Sequence, residues 1–178
     1  QKPEQRHRRS IYAYHTRGMP TPFMSVFNKP NADDSCEGRD SSSVTPQVFT
    51  LFNSDYSYDR SVAFALRLQK DRKDLKAQVA YAFKLAFGRT PEKDELSQSL
   101  SHVKDRVAYH KKHKPVAKSY PTSVERHCVE EFSGESFQYR ERLDIYENFK
   151  SDPKLWDVDA KTRALADLCL VLINSNEF

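Results

Sequence analysis

The spacing of apolar residues predicts helices in the middle of the chain. Between residues 55 and 111, apolar side chains recur every three or four positions, which places them on one face of a helix. Ser54 precedes the first of these stretches and can cap its exposed amide groups, and Gly88 follows the second as a left-handed stop. We therefore predict three helices, over residues 56–70, 74–87 and 91–111.

Residues 88–91, with the sequence Gly-Arg-Thr-Pro, lie between the second and third of these helices. Backbone amide groups at the start of a helix favour anions, so a phosphate-binding loop is one interpretation. A single glycine is weak evidence for such a loop. A helix stop at Gly88, followed by a start at Thr90 and Pro91, explains all four residues, because threonine caps helices and proline is tolerated at the first helical position.

The last stretch of the chain, residues 159–178, has the densest apolar pattern. One stripe is formed by Leu165, Leu168, Cys169 and Leu172. Other apolar residues extend this stripe nearly round the helix: Ala164, Leu170, Val171 and Ile173. A helix that is apolar on most of its circumference packs against several neighbours, so we predict that this helix is the centre of the core.

Residues 112–138, the first part of the region 112–158, are rich in lysine, histidine, serine and proline and show no sustained period. We predict a long polar excursion here, interrupted by a short helix over residues 140–149. Neither an internal repeat nor an alternating strand pattern is evident in the chain.

Residues 1–54 hold five of the nine prolines and two of the four glycines, which indicates an extended, irregular segment. They also hold many aromatic residues, which are unfavourable in water: Tyr12, Tyr14, Phe23, Phe27, Phe49 and Phe52. We therefore predict that this segment packs across the helices as an extended strap. Small strands within the strap are an alternative. The predicted fold is a single, mainly α domain over residues 1–178, an irregular helical bundle with this aromatic- and proline-rich N-terminal strap.

Charge and hydropathy exclude some function classes. The formal net charge is +4, and a basic stretch over residues 104–118 is followed by an acidic one over residues 130–147, so the two can compensate each other. A nucleic-acid binder concentrates its basic residues on one surface and carries a recognisable motif, and neither is present. No run of about 18 apolar residues exists, so no membrane span is expected.

Cysteine and histidine give little support for a metal or a nucleophile. Cys36, Cys128 and Cys169 lack zinc-ligand spacing, and Cys169 fits a buried apolar position. His110 and His113 can share a helical face, but the lysines around them would repel a cation, so we interpret them as a solvated basic end. No catalytic constellation and no metal site is predicted.

The remaining candidates are polar residues of the strap, which share the ability to pair with a carboxylate or with irregular backbone: Arg9, Arg39, Gln47 and Asn53. A structural role is our preferred interpretation, because irregular backbone inside a protein needs such partners. In a second hypothesis, these four residues and Cys36 line a cleft. We call the five residues the candidate polar cluster.

Several short blocks, in a fixed order, resemble a known bacterial family, the planctomycete-type cytochrome c-associated domain of unknown function. The blocks are residues 8–12, 19–22, 27–30, 35–39, 45–49, 51–53, 82–91 and 172–178. Two features depart from the family pattern. The aliphatic run that usually follows Pro-Gln is here Val-Phe-Thr-Leu-Phe over residues 48–52, and residues 112–158 look like an insertion.

The resemblance implies a periplasmic or secreted location and a position in the C-terminal part of a long protein. It also implies that any haem belongs to an upstream domain, because Cys-x-x-Cys-His is absent from these 178 residues. The expected function is a non-catalytic structural or interaction module whose partners are upstream domains or another extracytoplasmic protein. In the alternative function, the chain is part of an enzyme or of a c-type cytochrome redox assembly. The cleft of that assembly is shared with an upstream domain.

Overall fold

The computed structural model describes residues 7–12, 21–30, 35–38 and 45–178. In this part of the chain, helices dominate and the only sheet has two strands, so the prediction of a mainly α fold is confirmed. The helices are α1 (Pro22–Val26), α2 (Thr45–Asn53), α3 (Asp55–Asp71), α4 (Leu75–Phe87), α5 (Lys93–Lys112), α6 (Asp144–Glu147) and α7 (Ala160–Ile173). The strands are β1 (Ser123–Val129) and β2 (Ser136–Arg142), and Ser10–Tyr12 form a 3-10 turn. None of the described helices is long and apolar enough to cross a membrane.

The chain divides into two compact units. One comprises Gln1–Arg8 and Val116–Asp152 and contains β1, β2 and α6. The other comprises Arg9–Pro115 and Pro153–Phe178 and contains the remaining helices; we call it the helical unit. The single domain over residues 1–178 stays a prediction.

The core of the helical unit is built around α7, as predicted. Its buried apolar residues come from α3, α4, α5 and α7: Val62, Ala65, Leu68, Val79, Ala82, Phe83, Val103, Ala164, Leu165, Ala166, Leu168, Cys169 and Leu172. Six of these thirteen lie on α7, which packs against α3 and α5. Burial raises the pKa of the Cys169 thiol, so Cys169 is the small, inert core residue that the sequence indicates.

The predicted ends of the middle helices are close to the observed ones, and local capping explains why. Ser54 accepts the N–H of Ser57 at 3.2 Å at the start of α3. Gly88 ends α4 with φ 73° and donates its N–H to the carbonyl of Lys84 at 3.1 Å. This left-handed conformation suits glycine, so the predicted stop is confirmed.

The start of the third predicted helix is wrong by two residues. Helix α5 begins at Lys93, and the Glu95 carboxylate accepts the backbone N–H of Glu92 at 2.7 Å. This carboxylate cap, rather than Thr90, satisfies the exposed end of the helix. A Thr-Pro pair therefore indicates that a helix starts nearby, but it does not determine the first residue of that helix.

Two described parts of the predicted extended strap are helical, so the prediction is wrong for residues 22–26 and 45–53. Pro22 is the first residue of α1, and Pro46 is the second residue of α2. In the first turn of a helix a proline loses no hydrogen bond, so these prolines start helices instead of preventing them. The strap positions 1–6, 13–20, 31–34 and 39–44 lie outside the described residues.

A β-hairpin replaces part of the predicted polar excursion. The strands β1 and β2 pair antiparallel, with Glu125 opposite Arg140. Ion pairs connect the strands, Arg126 to Glu141 at 2.7 Å and Arg140 to Glu125 at 3.2 Å. Because most side chains of both strands are exposed and polar, no apolar alternation marks them in the sequence. The predicted short helix over 140–149 is confined to Asp144–Glu147, since β2 continues to Arg142.

Candidate functional site

The candidate polar cluster is only partly within the described residues, because Arg39 lies outside them. Cys36 is exposed and its thiol donates to the carbonyl of Gly38 at 2.9 Å. Nε2 of Gln47 donates to the carbonyl of Val26 at 3.1 Å and connects α2 to the end of α1. These two bonds run to backbone carbonyl groups.

The other two members are exposed and lie at the edges of short helical segments. The carbonyl of Arg9 accepts the N–H of Tyr12 at 2.9 Å, which closes the 3-10 turn. Nδ2 of Asn53 donates to the carbonyl of Phe49 at 3.0 Å, inside α2. Both the structural role and the shared-cleft role of the cluster stay predictions.

Among the described residues of the helical unit, Arg89 forms ion pairs with two carboxylates. Its Nη1 and Nη2 donate to the two carboxylate oxygens of Glu95, both at 2.7 Å. Its Nε and Nη2 donate to the carboxylate of Glu177 at 2.6 and 2.8 Å. One guanidinium group therefore holds two carboxylates in bidentate geometry, which connects the start of α5 to the segment after α7.

The surroundings of Arg89 add apolar contacts. Its guanidinium carbon lies 5.8 Å from the ring centre of Phe83 and 5.7 Å from that of Phe87, within the range of a cation–π interaction. The side-chain hydrogen bonds to both carboxylates raise the pKa of Arg89. The hydrogen bond from Arg89 lowers the pKa of Glu95 to about 2 and also lowers the pKa of Glu177.

A second polar group joins α5 to α7. Nε of Arg106 donates to Oδ2 of Asp167 at 2.5 Å, and Nε2 of His110 lies 2.8 Å from the same oxygen. His110 is buried, whereas His113 is exposed and stacks on Tyr109 with ring centres 4.3 Å apart. The predicted solvated end is therefore wrong for His110, because the docking of α7 brings a carboxylate onto it.

Neither arrangement resembles a metal centre or a catalytic triad. In both, each carboxylate is already held by a cation of the same chain, and Asp167 has only 14% of its side chain exposed. The described residues contain no group of three or more His, Cys, Asp or Glu side chains that could hold a metal ion. All three cysteines are free thiols.

Helix α2 carries a group of exposed apolar side chains. This helix has no buried residue and no charged residue. Val48, Phe49 and Phe52 are spaced by one and three positions, so they lie on one face, and Phe49 is 63% exposed. We call these three residues the α2 apolar face. Tyr56, in the first turn of α3, is also exposed and packs against Phe23 of α1 with ring centres 5.0 Å apart.

Comparison with known proteins places the chain in a family. Residues 1–103 match the model of PSD1, a family described as proteins of unknown function (DUF1553). The chain belongs to the PSD1 family. No curated protein and no solved structure matches the chain.

Only some of the residues described above lie within the PSD1 match. It includes the α2 apolar face, Arg89 and Glu95, and it ends within α5 at residue 103. Asp167 and Glu177 lie beyond it. The ion pair from Arg89 to Glu177 therefore connects the PSD1 portion to the segment after α7, whereas Arg106, His110 and Asp167 all lie beyond the match.

Replacing Arg89 with glutamine should make the stability less dependent on pH in acid. The pKa of Glu95 falls from an ordinary value of 4.5 to about 2 in the folded chain. A lowered folded-state pKa gives stability that is present above pH 4.5 and is lost as the pH falls towards 2. Urea unfolding at a series of pH values should show a shallower acid loss for Arg89→Gln than for the unchanged chain.

The control for this experiment is Arg67→Gln. Arg67 is exposed and lies 3.9 Å from Asp71, a weak pair that should change the acid profile little. Identical acid profiles for Arg89→Gln and the unchanged chain would contradict the role of Arg89.

Proposed function

We propose that this PSD1 chain is a non-catalytic structural or interaction module of a larger extracytoplasmic bacterial protein. The observation that carries the proposal is the α2 apolar face. Exposed apolar patches on soluble proteins mark contacts with partners, since water solvates such surfaces poorly. Aromatic residues are enriched at the centres of protein interfaces, and this face supplies two phenylalanines.

The charged groups support a structural rather than a catalytic role. Catalytic acids and bases need access to substrate and a pKa suited to proton transfer near the working pH. Glu95 is instead held ionised by Arg89, with its pKa lowered to about 2. Asp167 is mostly buried between Arg106 and His110. Both groups stabilise the contact between helices.

The proposed occupant of the α2 apolar face is an upstream domain of the same polypeptide. The resemblance to planctomycete-type cytochrome c-associated proteins supports this choice, and so does the lack of charge on α2, which favours an apolar contact over electrostatic recruitment. In this proposal the protein is periplasmic or secreted, and any haem belongs to the upstream domain. The shared redox or enzymatic cleft remains the alternative prediction.

Photo-crosslinking in the full-length protein tests the proposal. A photoreactive phenylalanine analogue at position 49 should form crosslinks to the upstream part of the same polypeptide, identified by mass spectrometry of the digest. The same analogue at position 132 is the control, because Phe132 is 97% exposed but belongs to the other compact unit. Equal crosslinking from the two positions, or none from position 49, would contradict the proposed contact.

Substitution to serine provides a second readout. Phe49→Ser combined with Phe52→Ser should leave the isolated chain folded, with a modest loss of stability, because Phe52 is only 38% exposed and its ring is partly covered. In the full-length protein the same pair should make the junction with the upstream domain more sensitive to protease, whereas Phe132→Ser should not. Protection that is unaffected by the double substitution would mean that another surface holds the upstream domain.

A further inference from the structure

A cleft of about 490 Å³ opens on the surface of the helical unit. None of its lining residues belongs to α2. Its floor is apolar and is formed by Leu75 at the start of α4, Val103 and Val107 on α5, and Leu165 on α7. This volume falls within the ordinary range for small-molecule sites, about 300–1,000 Å³. The floor can therefore shield the apolar body of a ligand from water.

Three lysines from separate elements line the same cleft. Lys73 lies between α3 and α4, Lys104 lies on α5, and Lys161 lies in the first turn of α7. None of the three forms an ion pair with a carboxylate of the described residues. An anionic group of a ligand in this cleft would therefore be attracted by all three ammonium groups.

Two carboxylates close to these lysines in sequence, Asp74 and Asp159, cap helices. The Asp74 side chain accepts the N–H of Ala77 at 3.1 Å and caps α4. The Asp159 side chain accepts the N–H of Thr162 at 2.7 Å and caps α7, and the bonds from Thr162 lower the pKa of Asp159. These two carboxylates stabilise helix ends, so they do not close the cleft with ion pairs.

Two glutamine side chains complete the polar part of the wall. Oε1 of Gln69 accepts the hydroxyl of Thr162 at 3.1 Å, and Nε2 of Gln78 donates to the carbonyl of Arg72 at 2.9 Å. One end of each amide is thus fixed. The other end has no partner within the described chain and is left for a ligand.

The geometry points to a binding site for a small amphiphilic anion, an apolar body that carries a carboxylate, sulfonate or phosphate group. A bare inorganic anion would leave the apolar floor in water, and a neutral apolar molecule would leave the lysines without a counter-charge. Only a ligand with both features uses both parts of the cleft. This inference is independent of the α2 apolar face.

The test uses two fluorescent probes with the same aromatic body. Anilinonaphthalene sulfonate carries one negative charge, and N-phenylnaphthylamine is its uncharged counterpart. The 178-residue chain should bind the sulfonate more tightly, and the difference should shrink as salt is added. Equal affinity for both probes would overturn the anionic part of the proposal.

The cleft variant is Lys73→Gln combined with Lys104→Gln and Lys161→Gln. All three lysines are exposed, so the variant should stay folded, which circular dichroism checks. The sulfonate should bind about tenfold more weakly, since three exposed charge contacts are each worth a fraction of a kcal/mol. Binding of the neutral probe should be unchanged. An unchanged sulfonate Kd would overturn the proposal.

A matched charge control separates the cleft from net charge. Lys76→Gln, Lys93→Gln and Lys112→Gln together remove the same three charges from exposed positions on α4 and α5 that do not line the cleft. This variant should keep its sulfonate affinity within about twofold. An equal loss in both triple variants would show that net charge alone attracts the probe, which would also overturn the proposal.

A final arm distinguishes the cleft from the α2 apolar face. Phe49→Ser combined with Phe52→Ser should leave sulfonate binding unchanged, and amide shifts in NMR titrations should cluster near Leu75, Val107 and Leu165. Loss of binding in the double variant, or shifts confined to α2, would place the probe on α2 and refute the cleft site. The proposed docking of the upstream domain would be unaffected by that result.

Discussion

Replacing Leu68 with alanine should lower the free energy of unfolding of the helical unit by about 3 kcal/mol. Leu68 lies near the end of α3, is fully buried, and belongs to the core around α7. The substitution removes its transfer free energy and leaves a cavity that surrounding helices fill only in part. Urea unfolding followed by far-UV circular dichroism should show the loss, together with a Tm lower by roughly 10 °C.

The control for Leu68→Ala is Val171→Ala. Val171 lies on α7 but is about half exposed, so its truncation should change the free energy of unfolding by less than about 0.5 kcal/mol. If both variants unfold at the same urea concentration, the packing of α3 on α7 does not hold the unit together.

The elements of this core are the part of the fold that the sequence predicts best. Helices α3, α4 and α7 carry apolar residues at helical spacing, and Gly88 provides a stop with a clear physical cause. Each of these signals is local, because one helix face and one cap are encoded by neighbouring residues. The prediction of α7 as the centre of the core follows from its apolar circumference alone.

The hairpin and α2 were missed because their signals are of a different kind. Most side chains of β1 and β2 are exposed, and Glu125 and Arg140 form a charged pair across the strands, so no alternation of apolar and polar residues marks them. Helix α2 begins with Thr45 and Pro46, the same pair of residue types that predicts a helix start at Thr90 and Pro91. The abundance of proline nearby favoured extended chain, although a first-turn proline costs a helix nothing.

The polar contacts of the helical unit depend on tertiary docking, so spacing could not reveal them. His110 and Asp167 are 57 positions apart and meet only when α5 packs on α7. One signal did exist, since Asp167 is a charged residue in the middle of the otherwise apolar sequence from Ala164 to Ile173. A charge in such a position needs a partner, and His110 and Arg106 supply it.

Arg163 is another charged residue of α7, and it is buried. Its Nη1 donates to the carbonyl of Val158 at 2.5 Å and to that of Leu155 at 3.3 Å. Its Nη2 donates to the carbonyl of His110 at 3.2 Å. One guanidinium group thereby fastens the segment before α7 and the end of α5 to the same helix.

Replacing Arg163 with methionine should lower the free energy of unfolding by about 3 kcal/mol. Methionine keeps an apolar stem of similar length but leaves three carbonyl groups without their donor, and each such loss in a buried site costs about 1–3 kcal/mol. The saved desolvation of the buried charge offsets part of this cost. Arg163→Lys should give an intermediate loss, because one ammonium group cannot reach both chain segments as the planar fork does.

Urea unfolding of Arg163→Met should be compared with that of Arg67→Met, which removes the same group from an exposed site on α3. The control should change the free energy of unfolding by less than about 0.5 kcal/mol. If the two methionine variants are equally stable, water rather than Arg163 must satisfy these carbonyl groups. A large loss confined to Arg163→Met would show that a buried cation, bound only to backbone, holds α5 and the segment before α7 in place.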